Sequence, residues 1–185
     1  MTSIIKVDTI QSAAGSTVLE QTNATTITLG STGQTILLNT NATNNFAVNT
    51  PSFLVTLSAD QSIATGTDTK VQWDSEIYDT DNEFDSSTNY RWTCGTTGKY
   101  LLSWSIEFAF MSDGRTLLGS LYKNGSEFIK VRPTTGAAGA TGFTGSQILS
   151  VTAGDYFEIY VYHDYGSNRN LELRSYFSGM RVIGA

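Results

Sequence analysis

The chain has one cysteine, one histidine and two prolines in 185 residues, and only 15% of its residues are charged. Each scarcity excludes something. A lone Cys94 forms no intrachain disulfide, so this is not a stapled secreted mini-domain, and stability comes from packing or association. Without a CxxC partner, Cys94 reads as a core or near-core thiol. His163 precedes Asp164, but no G-x-S-x-G elbow accompanies them, and neighbours in a strand point to opposite faces. No catalytic set is expected, and no cofactor. The net charge of -6 and the absence of a basic stripe exclude a nucleic-acid-binding face. No apolar run is long enough to span a bilayer, and the opening MTSIIKVDTIQSAAG lacks the continuous apolar core of a signal peptide. Membrane insertion is therefore not expected.

What is present changes character at Pro51. Before it the only charges are Lys6, Asp8 and Glu20, and Thr, Asn, Ser and Gly dominate; all three Trp and all nine Tyr follow it. The break predicts two parts, an extended segment over 1–50 and a head over 51–185. The segment carries short β-prone pieces around Ile4, Ile5 and Val7, and again at 25–29 and 35–38, too few for a core of its own. It is either disordered or paired with identical copies or another protein, and the clustered Ile and Leu favour pairing.

After Pro51 the pattern is all-β. Strands are predicted at about 53–57, 69–78, 88–93, 98–110, 115–123, 126–132, 145–151, 155–163, 169–174 and 176–183, roughly ten in a two-sheet sandwich. Asn124-Gly125 marks a hairpin, because both central residues of a type I′ turn need positive φ. Gly154-Asp155 turns into a strand whose alternation sets Tyr156, Glu158, Tyr160 and Tyr162 on one face and Phe157, Ile159 and Val161 on the other. One face is core; the tyrosine-rich one is apolar enough to want a subunit partner.

Several runs repeat an order and spacing that resembles a known family: Val71-x-Trp73 with Ile77-Tyr78, Asn82 with Phe84-Asp85, Tyr90 to Cys94, and Gly98-Lys99-Tyr100. Further along come Lys123-Asn124-Gly125, Leu149 to Val151 with Gly154-Asp155, and Tyr176 to Met180. Over about 53–185 the chain resembles the globular head of the complement subcomponent that binds immune complexes, a jelly roll of the tumour necrosis factor type. That resemblance implies a homotrimer with aromatic faces round a threefold axis. Tyr100, Trp104, Tyr160, Tyr162 and Phe177 are the candidates for intersubunit packing, each equally able to fill its own sandwich. The opening SIIKVDTIQSAAG resembles the beginnings of short tail-fibre and appendage proteins of marine bacteriophages, which makes Ile4, Ile5, Val7 and Ile10 candidate anchor residues.

Other constellations read as ordinary structure. Asp74, Glu76, Asp79, Asp81, Glu83 and Asp85 fall within twelve residues, and the last four resemble the start of an EF-hand loop, but Phe84 stands where glycine is required and Tyr90 where a bidentate Glu is required. A solvated acidic turn is expected, with no metal. Gly136, Gly139, Gly142 and Gly145 share the collagen period for only three triplets without proline, and read as a mobile surface loop with Phe143 at its tip. Phe143 joins Asp113, Arg115, Tyr165, Asn168 and Arg169, on two further turns, as candidate receptor-contact residues. The expected function is that of a non-enzymatic virion protein made in the host cytoplasm. It would be a short trimeric phage fibre or spike that docks to other virion proteins by residues 1–50 and touches a host surface glycan or protein. A capsid decoration protein is the alternative, and a bacterial surface or spore-coat trimer the third.

Overall fold

A computed structural model describes residues 51–133 and 135–182; the segment 1–50, with anchor candidates Ile4, Ile5, Val7 and Ile10, lies outside the described residues. Thirteen strands and no helix occur among the described residues. They are β1 (Ser52–Thr56), β2 (Gln61–Ile63), β3 (Thr69–Lys70), β4 (Ser75–Asp79), β5 (Phe84–Asp85), β6 (Arg91–Thr93) and β7 (Gly98–Met111). Then come β8 (Leu117–Lys123), β9 (Ser126–Val131), β10 (Gly139–Val151), β11 (Tyr156–His163), β12 (Arg169–Leu171) and β13 (Tyr176–Arg181). One sheet runs β2-β12-β7-β13-β1-β4, with β10 also on β7; the other runs β5-β6-β11-β8-β9, with β3 on β11. We call them the first and second sheets. Every pairing is antiparallel. The fold is the expected all-β jelly-roll sandwich.

Strand alternation builds the core. Along β7, Tyr100, Leu102, Trp104, Ile106 and Phe108 are buried while Leu101, Ser103, Ser105 and Glu107 between them are only half-buried. Along β11, Phe157, Ile159 and Val161 turn inward and Tyr160 and Tyr162 outward, as the sequence predicts. The two inward faces meet through aromatic rings: Phe53 of β1 stacks on Trp92 of β6 at 5.5 Å, and Trp92 reaches Tyr100 at 4.9 Å and Phe157 at 5.8 Å. Asn124 and Gly125 have φ of 52° and 77° and join β8 to β9, as expected of a type I′ turn.

The expected strand over 69–78 is two strands in different sheets. β3 pairs with β11 and β4 with β1, and between them the chain crosses the sandwich, burying Val71 and Trp73. The run at 88–93 shortens to three residues because the Asp85 carboxylate gathers the N–H groups of Ser87, Thr88 and Asn89 into a turn.

The largest correction concerns the glycine triplets. From Gly139 onward the stretch is strand, not loop: β10 pairs with β7 as far as Met111. The glycines serve close approach. A Cβ on Gly145 would lie 2.2 Å from Cζ2 of buried Trp104, and one on Gly142 would lie 2.9 Å from the carbonyl oxygen of Ile106. Phe143, between them, turns inward and packs where a Cβ on Gly119 would be, closing the sandwich edge between β10 and β8. Replacing Gly145 with Ala should therefore cost about 1–3 kcal/mol, because Trp104 has no room to yield. Ser146→Ala, on the exposed side of the same strand, should stay within about 0.5 kcal/mol. Urea denaturation of both variants measures the difference.

Candidate functional site

One end of the sandwich is tied together by a single histidine. His163, at the end of β11, is fully buried, with Phe108 edge-on at 5.5 Å. Its Nε2 lies 3.1 Å from the carbonyl oxygen of Ile63, and its Nδ1 accepts the N–H of Tyr165 at 3.3 Å. The neutral tautomer with hydrogen on Nε2 satisfies both contacts. The His163 carbonyl in turn accepts the N–H of Gly66, and Gly166 donates to Thr65 Oγ1. The β2–β3 and β11–β12 loops are thus fastened to each other.

The β7–β8 loop joins them. Asp164 Oδ1 accepts the N–H of Thr116, and the Asp164 carbonyl accepts from Arg115 Nη1. Buried Thr135 pins the same loop through the N–H of Arg115 and the carbonyl of Ser112. On this frame sits Tyr165. Arg169 stacks on its ring at 3.3 Å, Arg115 lies 5.6 Å from it, and Phe110 meets it edge-on at 6.4 Å.

Three expected receptor-contact residues, Arg115, Tyr165 and Arg169, therefore converge in space from loops some fifty residues apart in sequence. Asp113 is exposed in the same β7–β8 turn, and exposed Asn168 gives its carbonyl to Arg169. Phe143 does not belong with them, since its ring packs against the core. Phe110, 45% exposed, was missed by sequence reasoning: it sits at the end of the long apolar alternation of β7 and looks like one more core residue.

The subunit-contact candidates divide. Tyr100, Trp104 and Phe177 lie inside one protomer's own sandwich, at most 1% exposed, so they do not face a neighbour. Tyr160 and Tyr162 stand half-buried on the outer face of the second sheet, where Tyr160 and Tyr122 pack ring to ring at 4.1 Å. Glu158, on that face, is 5% exposed and bonded to Lys70 Nζ at 2.5 Å. Large exposed apolar side chains gather instead on the outer face of the first sheet. Tyr78, Met180 and Ile148 are each more than 40% exposed. The strand register sets Leu101 between Met180 and Ile148, and Leu54 between Tyr78 and Ser178.

Most of the acidic run is taken up by local hydrogen bonds. Asp79 accepts the N–H of Asp81 and Phe84, Glu83 takes Trp92 Nε1 and the N–H of Gly95, and Asp85 caps the next turn. Glu76 bonds Ser86, and Asp74 bonds Ser58. The Thr88 N–H and its neighbours hold Asp85 well below the usual carboxylate range, whereas burial pushes Glu83 upward. Among the described residues no three His, Cys, Asp or Glu side chains stand close enough to hold a metal ion.

Burial depresses the His163 pKa, with Arg169 adding to the effect, and the bond to Ile63 and the Asp164 charge opposing it. A histidine harder to protonate folded than unfolded binds more protons when unfolded, so stability rises with pH across that interval. Folding should be most stable above the unfolded value of about 6.5 and weaken as pH falls below it. Asp155, held at about 2 by Lys123 and by the Thr152 N–H, contributes a separate loss only below about pH 4. Urea midpoints between pH 7.5 and 5 should therefore fall in the wild type. They should flatten in His163→Gln, which keeps a donor and an acceptor without titrating.

Solved structures with the same architecture come from several animals. The globular domain of zebrafish complement 1qA is 17% identical with a TM-score of 0.55, covering 72% of this chain and 98% of that one. The Eiger TNF of S. frugiperda is 13% identical, with a TM-score of 0.52 and coverage of 72% and 92%. Murine APRIL at pH 8.0 is 13% identical, with a TM-score of 0.53 and coverage of 71% and 98%. At these identities the likeness concerns the fold. No curated protein matches the chain. The sequence itself carries the family's pattern from the first residue of β1 to the residue after β13: residues 52–182 match the C1q domain, and the chain belongs to that family.

Proposed function

We propose that this chain is a non-enzymatic binding head that assembles as a homotrimer through the outer face of its first sheet. C1q and tumour necrosis factor-like folds form homotrimers and are typically binding or structural domains. The observation that carries this reading is the composition of that face. Tyr78, Leu54, Met180, Leu101 and Ile148 form an apolar band interrupted by Ser178, Ser103 and Ser146, with the charges of that face, Lys99 and Glu107, toward the ends of β7. Small serines admit close backbone approach, and the apolar side chains supply the burial. A shallow cleft of about 70 Å³ between Tyr78, Leu101 and Met180 offers a seat for a neighbour's side chain.

The place of the trimer is read from its opening residues, whose likeness to marine phage appendage proteins supports a virion role. In this reading residues 1–50 dock to the particle as a short fibre or spike, and the tied loops around Tyr165 touch the host surface. Three such sites at fixed spacing turn weak contacts into firm attachment. Electron cryomicroscopy of particles carrying the protein tests the placement: threefold knobs standing off a tail or vertex are expected. Molecules lying flat across capsomer junctions would make it a decoration protein instead.

The assembly has its own test. Leu101→Arg and Ile148→Arg should each convert the trimer to folded monomer in analytical ultracentrifugation, because an arginine buried between copies has no carboxylate to meet. Tyr160→Asp and Tyr162→Asp, on the other sheet, should leave the trimer intact. Dissociation by the tyrosine variants alone would move the interface to the second sheet.

A further inference from the structure

The head-contact reading leaves open what chemistry the tied loops recognise, and the side chains around Tyr165 narrow it. Arg115 and Arg169 are both held against one tyrosine ring. Among the described residues neither forms a salt bridge, in a chain of net charge -6. Of the acids near them in sequence, Asp164 bonds the Thr116 backbone through Oδ1 and gives Arg115 only its carbonyl, Glu172 pairs with Arg174, and exposed Asp113 forms no salt bridge among the described residues. Each guanidinium spends Nη1 on a backbone carbonyl, and Nη2 has no partner among the described residues. Arg169 Nε is covered and has no partner among the described residues either.

Two planar cations fixed in place with donors to spare suit a planar, bidentate acceptor, which is a carboxylate. The surroundings suit the rest of such a ligand. Phe110, 45% exposed, stands edge-on to Tyr165 and offers an apolar ring beside the cations. A pyranose presents one face of C–H groups, so a sugar ring against Phe110 would carry its carboxylate toward the two arginines. The frame is already set by His163, Thr65 and Thr135, so binding does not have to order the loops first.

We infer that the cluster of Phe110, Arg115, Tyr165 and Arg169 is a binding site for a carboxylate-bearing saccharide, such as a uronic-acid unit of an acidic surface polysaccharide. This rests on the reading of the loop end as the contact surface of the head. It departs from that reading in requiring the carboxylate.

The test uses the full-length protein on an array of glucuronate-, galacturonate- and sialate-containing oligosaccharides. Each is printed beside its carboxyl-reduced counterpart, with sulfated oligosaccharides alongside. Retention on carboxylated spots and loss on the carboxyl-reduced ones is expected. Arg115→Gln and Arg169→Gln should each weaken binding about tenfold or more, the worth of a charge-assisted hydrogen bond. Phe110→Ser should weaken it on all saccharides alike. Phe110 is exposed, so its variant tests the site even if an arginine variant unfolds, which a thermal melt reveals. Equal binding to carboxyl-reduced forms, preference for sulfate, no retention on any spot, or folded arginine and Phe110 variants that bind as the wild type does would each overturn the carboxylate assignment. Such a failure, with the trimer and its position on particles intact, leaves the assembly reading standing.

Discussion

The contact between Phe53 and Trp92 joins the two layers, and much of the molecule is arranged to keep it. Phe53 comes from the first sheet and Trp92 from the second, and Tyr100, Phe157, Phe84 and Phe177 surround the pair. A jelly roll of this size has short strands, so ladder hydrogen bonds alone would leave the sheets free to slide. Interlocked rings set the distance and angle between them. The cost is polar. Trp92 Nε1 finds Glu83 at 2.9 Å, but Trp73 and Trp104 keep buried N–H groups without partners among the described residues. Burying an aromatic side chain of roughly 150–250 Å² contributes about 4–6 kcal/mol. That exceeds the roughly 1–3 kcal/mol lost to an unmet donor, so the indoles remain inside.

Fixing the sheets fixes their ends, and the His163 knot is the local consequence. A buried imidazole is tolerated because its two nitrogens match a carbonyl on β2 and an N–H beyond β11. The loops it joins hold the Arg115, Tyr165 and Arg169 cluster steady without a disulfide or, among the described residues, a metal site. The acidic loop at 79–85 is built the same way, with Asp79, Glu83 and Asp85 each accepting backbone N–H groups.

The parts of the fold legible in the sequence were those with a local physical cause. Asn124-Gly125 is readable because turn chemistry is local, and the faces of β11 because alternation is local. The rest depends on a partner distant in sequence. Gly142 and Gly145 look like a loop until β7 is laid beside them, when Trp104 and the Ile106 carbonyl explain the missing side chains. The break within 69–78 is invisible because Val71 and Trp73 remain buried while the chain changes sheets. Arg115, Tyr165 and Arg169 could be named as turn residues, but only closure of the sandwich brings two of them onto the ring of the third.

Aromatic content alone does not distinguish the two outer faces, and a different property separates them. On β7 the large aromatics are on the inward side and the outward side reads as Lys99, Leu101, Ser103 and Ser105, which looks polar one strand at a time. Its apolar character emerges when Ile148 and Met180 are placed on either side of Leu101. The outer face of the second sheet looks greasier, yet its tyrosines already pack on each other, and Lys70 and Glu158 lie among them as an ion pair. Covering that pair with another subunit would strip the remaining water from Lys70, which is still 30% exposed, and add a desolvation cost with no new carboxylate to offset it. Covering Leu101, Ile148 and Met180 removes mainly apolar surface and serine hydroxyls that can turn to a backbone carbonyl, with Lys99 at the end of β7 able to keep its charge in water. The difference in desolvation, rather than the number of aromatic rings, is what favours the first-sheet face in the proposed trimer.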